Sequence, residues 1–382
     1  MTTEAKSTRA RPGRETGPFG PVYRVLEEAI VARAFPGCAF GVLADSEWGG
    51  PVTHLGALGR FTYDPASPEV TAETRFDVAS LTKVVGTTPA AMLLVERGRM
   101  DLETPLYEIL PEFLAGRAAR DPARKVTLRH LLAHNSGLPG YVELFRIAST
   151  PESLMRACLA LPLEAEPGKR AEYSDPGFIL LGRALEKLAG EPLDAWLRRE
   201  EFAPLGMTAT EFCPAPDRRS SIPPTEQDTW FRHRLIQGEV QDESAWVLGG
   251  VAGHAGLFST VGDLLRFSGA ILAGRGGNAL AGVRPLFDPA TLNRFTKRQE
   301  PAGNEHALGW DTPSSQDSSA GRHFSRHSVG HLAFSGCSLW IDLDAAIAVV
   351  LLTNRTWPDR KNQKIRKMRP AFHDAVREAL QR

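Results

Sequence analysis

The sequence predicts an α/β fold in which one antiparallel sheet is flanked by helices and interrupted by a mainly helical insertion. Strand-like segments occur near both ends of the chain, whereas helical and loop segments fill its middle. Because distant strands must pair to bury their apolar faces, we expect the two ends to build one sheet. This predicts a discontinuous sheet domain (18–79 and 278–382), a mainly helical domain (80–277) and a disordered tail (1–17).

Each element follows from its apolar pattern. Residues 21–34 place four apolar side chains on one helical side, and the segment after Ser80 becomes helical. Runs rich in Val, Ile and Leu that end at Gly or Asp predict strands. In chain order, the predicted elements are a helix over 21–34, strands over 38–44 and 51–59, a helix over 80–97, strands over 308–310 and within 328–353, and a helix over 363–380.

Composition excludes several classes of partner. The chain of 382 residues is 42% hydrophobic and 24% charged, which is enough to bury a large core. Its formal net charge is +0, so no overall field attracts nucleic acid or anionic lipid. The basic run at 360–369 is predicted to be a solvated face of the last helix. We therefore expect no nucleic acid and no membrane as partners, and the sequence leaves the oligomeric state open.

The sequence carries no signal for targeting or for a cofactor. The N-terminal segment is polar and basic without the apolar core of a secretory signal, and no segment reaches the ~20 apolar residues of a transmembrane helix. These observations predict a cytoplasmic protein. No G-x-G-x-x-G or P-loop pattern occurs, and the four cysteines lack C-x-x-C spacing, so no cofactor is predicted.

Two groups of histidines have helical spacing. His130 and His134 are four residues apart, and His323, His327 and His331 repeat that spacing. Neither group has an acidic or cysteine partner in sequence that would complete a metal site. We predict no bound metal, and a structural role for His134.

The segment 76–83 reads FDVASLTK and places a hydroxyl and an amine three residues apart at the start of a helix. Positions i and i+3 share one helical face, so the Lys83 amine is expected beside the Ser80 hydroxyl. A serine needs an adjacent proton acceptor to become a nucleophile. The first helical turn also offers unpaired N–H groups to developing negative charge. The spacing therefore predicts Ser80 as a nucleophile with Lys83 as its partner.

Two later segments complete an ordered set. Residues 172–177 read EYSDPG before an apolar run, and residues 329–336 read VGHLAFSG before two apolar strands. With the Ser-x-x-Lys element, this set resembles that of penicillin-binding proteins and serine β-lactamases, in particular class C β-lactamases, D-alanyl-D-alanine peptidases and related esterases. Tyr173 matches the tyrosine of the family's Tyr-x-Asn element, with Asp175 in the asparagine position. His331, Leu332 and Ala333 take the place of Lys-Thr-Gly or His-Thr-Gly.

The resemblance implies a β-lactamase-like α/β sandwich with the active site at the seam between the two domains. It implies that Ser80 forms an acyl-enzyme, that Lys83 and Tyr173 share the proton transfers, and that the N–H groups of Ser80 and Phe334 form the oxyanion hole. Phe334 is expected on a strand edge.

Asp175 departs from the family pattern and changes the expected protonation of the site. A carboxylate near Lys83 favours the ammonium form, which in turn favours a Tyr173 phenolate, so Tyr173 is the preferred general base. The alternative is that Tyr173 is a core tyrosine and that Asp175 caps the helix after Pro176, and both roles are compatible.

The third motif departs further. Leu332 lacks the hydroxyl of its family counterpart, His331 lacks a permanent charge, and Ala333 adds a methyl group beside the strand. These features matter most for recognising a substrate carboxylate, so their loss predicts uncharged acyl substrates.

The predicted function is that of a cofactor-free serine hydrolase, an esterase or amidase that acts on a small-molecule acyl substrate. Three alternatives remain open. They are a D-alanyl-D-alanine carboxypeptidase or β-lactamase, an acyltransferase or peptide cyclase of the same fold, and a catalytically silent binding protein.

Overall fold

Strands from both ends of the chain meet in one sheet, as the sequence predicts. The computed structural model describes residues 17–44, 52–275, 283–301 and 303–381; the predicted tail lies outside these ranges except for Gly17. The strands are β1 (Gly37–Ala44), β2 (Val52–Gly59), β3 (Phe76–Asp77), β4 (Glu211–Phe212), β5 (Glu226–Asp228), β6 (Arg234–Ile236), β7 (Leu257–Ser259), β8 (Val329–Leu332), β9 (Ser338–Asp342) and β10 (Ile347–Thr353).

The main sheet has the order β2-β1-β10-β9-β8, with every neighbouring pair antiparallel. Strand β10 joins the two ends of the chain, since Cys38 pairs with Thr353 and Ala44 with Ile347. All seven residues of β10 are buried. Such a continuous apolar strand is typical of a sheet that is covered on both faces.

Helices cover both faces of this sheet. The helices are α1 (Gly20–Val31), α2 (Thr88–Glu96), α3 (Leu106–Ile109), α4 (Leu128–Leu132), α5 (Pro151–Leu159), α6 (Asp175–Ala189), α7 (Leu193–Leu197), α8 (Glu243–Val247), α9 (Val261–Ala273), α10 (Pro289–Thr296) and α11 (Ile365–Leu380). Helices α1 and α11 pack together over one face, and α9 packs against β1 and β10 from the other. The mixed α/β architecture predicted from the sequence is confirmed. The proposed domain boundaries stay a prediction.

Two expectations about the fold are wrong in detail. Residues 308–310 form a bend rather than a strand, because Gly309 has a φ of +86° and reverses the chain between His306 and Asp311. The basic run 360–369 is not simply a solvated face. Arg360 is paired with two buried glutamates, and Arg369 is buried and donates to three carbonyl oxygens of the β8–β9 turn.

No helix within the described ranges combines the length and apolarity that crossing a membrane requires. Those same ranges hold no cluster of three or more His, Cys, Asp or Glu side chains arranged to bind a metal ion.

Candidate active site

Ser80 lies in a tight turn between β3 and a helix that begins at Leu81. Ala79, the residue before it, has a φ of +43°, a conformation that few non-glycine residues adopt. The buried carboxylate of Asp77 supports this turn, because its Oδ1 accepts from the Ala79 N–H at 2.8 Å and its Oδ2 from the Gln241 N–H at 2.7 Å. Asp77 therefore ties the turn of Ser80 to the loop before α8, a role that the sequence analysis missed.

Lys83 is fully buried on one π-helical turn, residues Lys83–Thr87. Its Nζ donates to Ser80 Oγ at 3.0 Å and to the His254 carbonyl oxygen at 3.0 Å, and lies 2.7 Å from Asp175 Oδ1. Three oxygens therefore lie within 3.0 Å of this nitrogen, two as hydrogen-bond acceptors and the third as an ion-pair partner. The predicted pairing of Ser80 with Lys83 and the predicted proximity of Asp175 both agree with this geometry.

The close approach of Gly253 to α6 presents the His254 carbonyl to Lys83. A Cβ at Gly253 would lie 2.2 Å from the Phe178 carbonyl oxygen, so a side chain there would push the two segments apart. The His254 ring is fixed from the other side, because its Nε2 lies 2.9 Å from Asp242 Oδ1. The functional group that this loop supplies is a backbone carbonyl, which leaves no signal in the sequence.

Tyr173 brings the second motif to Ser80. Its hydroxyl lies 3.0 Å from Ser80 Oγ, and its half-buried ring packs against His134 at a centroid distance of 4.7 Å. Helix α6 begins directly afterwards, and Ser174 caps it by accepting from the Gly177 N–H at 3.0 Å. The alternative that Asp175 caps this helix is therefore wrong. Asp175 is the first helical residue, and its carboxylate turns to Lys83 instead.

The electrostatics at Tyr173 oppose a phenolate in the resting site. Burial raises the pKa of Tyr173 well above its usual value, and the carboxylate of Asp175 raises it further. The sequence predicts that a charged Lys83 favours the phenolate form of Tyr173. The pKa of Tyr173 is raised instead, which disfavours the phenolate. The ammonium charge is offset by the Asp175 carboxylate that holds it, so Tyr173 is protonated at neutral pH.

His331 of the third motif faces the same site from β8. Its ring centroid lies 5.6 Å from that of Tyr173, and its Nδ1 is 2.6 Å from the Leu332 carbonyl oxygen. Burial lowers the pKa of His331, which Asp311 partly opposes. Asp311 also accepts a hydrogen bond of 3.0 Å from His306. His331 is thus a neutral imidazole at neutral pH, and Asp311 is a further carboxylate of the site that the sequence analysis missed.

His134 has the structural role that was predicted for it. Its Nδ1 accepts from the Ser174 N–H at 3.0 Å, and its ring stacks on Phe178 at 4.9 Å. Among the other spaced histidines, His323 lies 3.6 Å from Glu378 and His327 lies 2.9 Å from Asp344.

The residue expected to supply the second oxyanion donor lies in a turn. Strand β8 ends at Leu332, and Ala333 and Phe334 belong to the turn that leads into β9, so the expected strand-edge position of Phe334 is wrong. This turn packs beside the segment that leads to Ser80, since Cys337 Sγ lies 3.8 Å from the Asp77 carbonyl oxygen. The role of Phe334 N–H in an oxyanion hole stays a prediction.

The arginines around this turn hold the backbone. Arg355 donates through Nε to the Phe334 carbonyl oxygen at 2.8 Å and through Nη1 to two further carbonyls. Arg369 donates to the carbonyls of Ala333, Gly336 and Cys337. Their hydrogen bonds stabilise the turn. Cys337 is itself buried, and burial raises the pKa of its thiol to about 11, which makes it a poor nucleophile.

Comparison with known proteins assigns the chain to a family. The chain matches the Beta-lactamase family over residues 24–370. It is 30% identical to a protein of Salmonella agona described as a D-alanyl-D-alanine carboxypeptidase, over 77% of this chain and 72% of that protein. It is 29% identical to the N-acetylmuramyl-L-alanine amidase of Bacillus subtilis, over 86% of this chain and 79% of the relative.

Solved structures share the fold at lower identity. Unliganded simvastatin synthase from Aspergillus terreus superposes with a TM-score of 0.73 at 21% identity, covering 95% of this chain and 98% of that one. EstCE1, a hydrolase with promiscuous acyltransferase activity, gives 0.71 at 22% identity, covering 92% and 98%. These likenesses and the family match confirm the resemblance seen in the three motifs. The chain belongs to the Beta-lactamase family and is a serine hydrolase.

Proposed function

We propose that the protein is an esterase or amidase that forms an acyl-enzyme on Ser80 and acts on small, uncharged acyl substrates. The observation that carries the proposal is the position of Ser80 Oγ, which lies 3.0 Å from both Lys83 Nζ and the Tyr173 hydroxyl. A nucleophile within hydrogen-bond reach of its proton-transfer partners is the arrangement that covalent catalysis requires.

The reaction follows from this geometry. Ser80 Oγ attacks the acyl carbon as its proton passes to deprotonated Tyr173, a minor form at neutral pH. The Lys83 ammonium stabilises the charge that develops on the serine oxygen. Tyr173 then gives the proton to the leaving group, and water enters by the reverse steps to release the acid. The N–H groups of Ser80 and Phe334 are the proposed oxyanion donors, of which one is typically worth about 10²–10³ in rate.

The third motif supports uncharged substrates. His331 is buried with a lowered pKa, Leu332 has no hydrogen-bonding side chain, and Arg355 and Arg369 donate to backbone carbonyls. A site that discriminates through a substrate carboxylate needs a donor left free to bind it. The side chains of His331, Leu332 and Ala333 supply no free donor of this kind.

A panel of substrates with an active-site label tests the proposal. We expect one fluorophosphonate adduct on the intact protein and turnover of short-chain p-nitrophenyl esters. Both should be lost in Ser80→Ala and kept in the control Ser220→Ala, which changes an exposed serine of the 3₁₀ helix Pro216–Ser221. Labelling that persists in Ser80→Ala would refute the assignment of the nucleophile, and a failure to label the wild type would favour a silent binding protein.

The same panel separates the other candidates. D-alanyl-D-alanine peptides and penicillins test the peptidase and β-lactamase alternatives, and muropeptide amides test the activity that names the Bacillus subtilis relative. Added alcohols or amines test acyl transfer, because a competing acceptor diverts the acyl-enzyme from water. The predicted cytoplasmic location stays a prediction.

A further inference from the structure

A strip of aromatic side chains extends from the active site over the surface. Five of its members are linked by ring contacts or by a common arginine, the sixth, Tyr141, lies in the segment that contacts Asp175, and three of the six expose large apolar area. The aromatic strip comprises Tyr141, Phe145, Trp230, Phe231, Trp246 and Phe334. The exposed fractions are 55% for Tyr141, 46% for Phe334 and 40% for Trp246. Large exposed aromatics that are grouped rather than scattered mark a binding surface.

Contacts join five of the six residues, from Phe334 to Trp246, into one connected group. The Arg360 guanidinium lies 5.7 Å from the ring centroid of Phe334 and 5.1 Å from that of Trp230. Trp230 lies 6.1 Å from Phe231, and Phe231 meets Trp246 edge to face at 5.8 Å. Phe145 packs on both Trp230 and Phe231, at 5.6 and 5.0 Å.

The strip reaches the site from two sides. Phe334 lies in the turn after β8, three residues beyond His331. Tyr141 follows Gly140, whose carbonyl accepts from the Asp175 N–H at 2.9 Å. Phe334 therefore lies in the segment of the third motif, and Tyr141 lies next to a residue that is hydrogen-bonded to the segment of Tyr173. A group attached to a substrate bound at Ser80 would meet aromatic surface on leaving the site.

The arginines that lie beside the aromatic strip are all paired with carboxylates or backbone carbonyls. Arg360 donates to Glu226 at 2.6 and 2.5 Å and to Glu243 at 2.5 Å, and both glutamates are buried. Arg355, 4.6 Å from the Phe334 ring, is occupied by three backbone carbonyls. Two more arginines lie beside these rings, Arg146 at 4.8 Å from Trp230 and Arg232 at 5.6 Å from Trp246, and they are paired with Glu143 and Asp228. Each of these four cations has a carboxylate or carbonyl partner, so the strip presents aromatic rings and paired charges to a ligand.

We propose that the aromatic strip is a subsite for an uncharged aryl group of the substrate, so that the enzyme prefers aryl-bearing esters or amides. This inference rests on the proposed function, because it assigns the substrate class of the same site. Aromatic rings favour offset or edge-on contact with one another, at about 0.5–1.5 kcal/mol per pair beyond the burial of area. This corresponds to roughly 2- to 13-fold in kcat/KM for each pair formed.

The test compares ethyl 4-phenylbutanoate with ethyl butanoate, which share a leaving group that carries no ring. We expect kcat/KM to be at least 10-fold higher for the phenyl ester. Benzyl acetate against ethyl acetate tests a ring on the leaving group, and a gain in either series supports the subsite. Ethyl 4-(4-carboxyphenyl)butanoate should lose most of the gain, since the strip offers no free cation.

Variants on exposed strip positions link the preference to the strip. Trp246→Ala and Tyr141→Ala should each lower the ratio of phenylbutanoate to butanoate at least 3-fold. The control Leu55→Ala, which removes a side chain that is 43% exposed on β2, should leave that ratio unchanged. Thermal unfolding of each variant confirms that it is folded.

The outcomes keep the two proposals apart. If ethyl butanoate is hydrolysed and both ring-bearing series give ratios near one, the subsite is refuted while the proposed function stands. A ratio that is high but unaffected by both strip variants also refutes the strip as its source. If neither ester is hydrolysed and the fluorophosphonate does not label Ser80, the result refutes the proposed function itself, on which the subsite proposal rests.

Discussion

Asp175 and Lys83 form an ion pair of 2.7 Å beside Ser80, in which Lys83 is fully buried and Asp175 is partly exposed. Burial raises the pKa of Tyr173 and the carboxylate of Asp175 raises it further, so the Tyr173 hydroxyl resists giving up its proton. Tyr173, the proposed base, is therefore protonated at neutral pH. The rate should therefore rise with pH as the proton is lost.

The first prediction concerns this pair. Asp175→Asn removes the charge that raises the pKa of Tyr173, so the rise of kcat/KM should move to lower pH in the variant. Measurement of kcat/KM from pH 6 to 10 with one p-nitrophenyl ester checks the shift. Asp194→Asn, which removes another first-turn carboxylate at the start of α7, is the matched control. A profile that does not move would show that Asp175 leaves the proton transfer unaffected.

The second prediction concerns Tyr173. Tyr173→Phe removes the hydroxyl 3.0 Å from Ser80 Oγ and should lower kcat by about 10²–10⁴, the usual size of a general acid–base contribution. Tyr107→Phe on α3 removes a hydroxyl away from this site and should keep full activity. Should Tyr173→Phe retain more than a tenth of the wild-type kcat, Lys83 rather than Tyr173 would be the base.

The third prediction assigns Asp77 as a positioning residue. Its two oxygens fix the Ala79 and Gln241 N–H groups, and burial raises its pKa to about 6. Asp242 raises this pKa and Arg232 lowers it. Protonation replaces one acceptor by a donor that faces an N–H, so kcat/KM should fall as the pH drops through about 6 and recover above it.

Asp77→Asn tests this directly, because asparagine keeps one acceptor and does not titrate. We expect a lower kcat without the acid limb near pH 6, and a larger loss in Asp77→Ala. A merely structural role would lower activity without changing the limb, so an Asp77→Asn enzyme that keeps the wild-type profile contradicts the assignment.

The sequence predicted the parts of the site that side-chain spacing encodes. Ser80 and Lys83 share a helical face. The order of the three motifs predicted that Tyr173 and His331 would lie close to Ser80. The sequence did not predict the features of the site that depend on backbone geometry. The His254 carbonyl and the turn at Phe334 depend on how loops pack, and Ser174, not Asp175, caps α6 because its side chain reaches the Gly177 N–H.

The fold was predictable for a similar reason. Strand β10 is a continuous apolar run, and such runs identify buried strands. The bend at Gly309 was mistaken for a strand because three residues are too few to show a period. Asp77 and Asp311 escaped notice because a lone aspartate carries no pattern, and only their partners in the structure reveal what they do.

The fourth prediction concerns stability. Glu201 is fully buried, neither carboxyl oxygen has a hydrogen-bond partner within the described residues, and burial raises its pKa well above the usual value. Since the folded pKa lies above the unfolded one, folding stability falls as the pH rises past the unfolded value. Glu201→Met should stabilise the protein by about 1–3 kcal/mol at pH 7, with a smaller gain at pH 5.

Urea unfolding at the two pH values measures this effect. The neighbouring Glu200→Met is the control, because it removes surface ion pairs with Arg97 and Arg199 and should destabilise by at most about 1 kcal/mol. A Glu201→Met protein that unfolds at lower urea than the wild type at pH 7 would show that the carboxyl group is favourable in its pocket.

The last prediction concerns the third motif and separates this enzyme from the carboxylate-recognising members of its family. Leu332 offers no donor, Ala333 places a methyl group in the turn beside Phe334, and His331 is neutral because burial lowers its pKa. Short-chain p-nitrophenyl esters should therefore be hydrolysed with a kcat/KM well above that for nitrocefin or a D-alanyl-D-alanine peptide. The double variant Leu332→Thr with Ala333→Gly restores a hydroxyl and removes the methyl group, so it should raise β-lactam acylation and narrow the gap. Leu332→Val with Ala333→Gly separates the effect of the hydroxyl from that of side-chain size. Hydrolysis of nitrocefin by the wild type at the rate of its best ester would overturn the assignment to uncharged substrates.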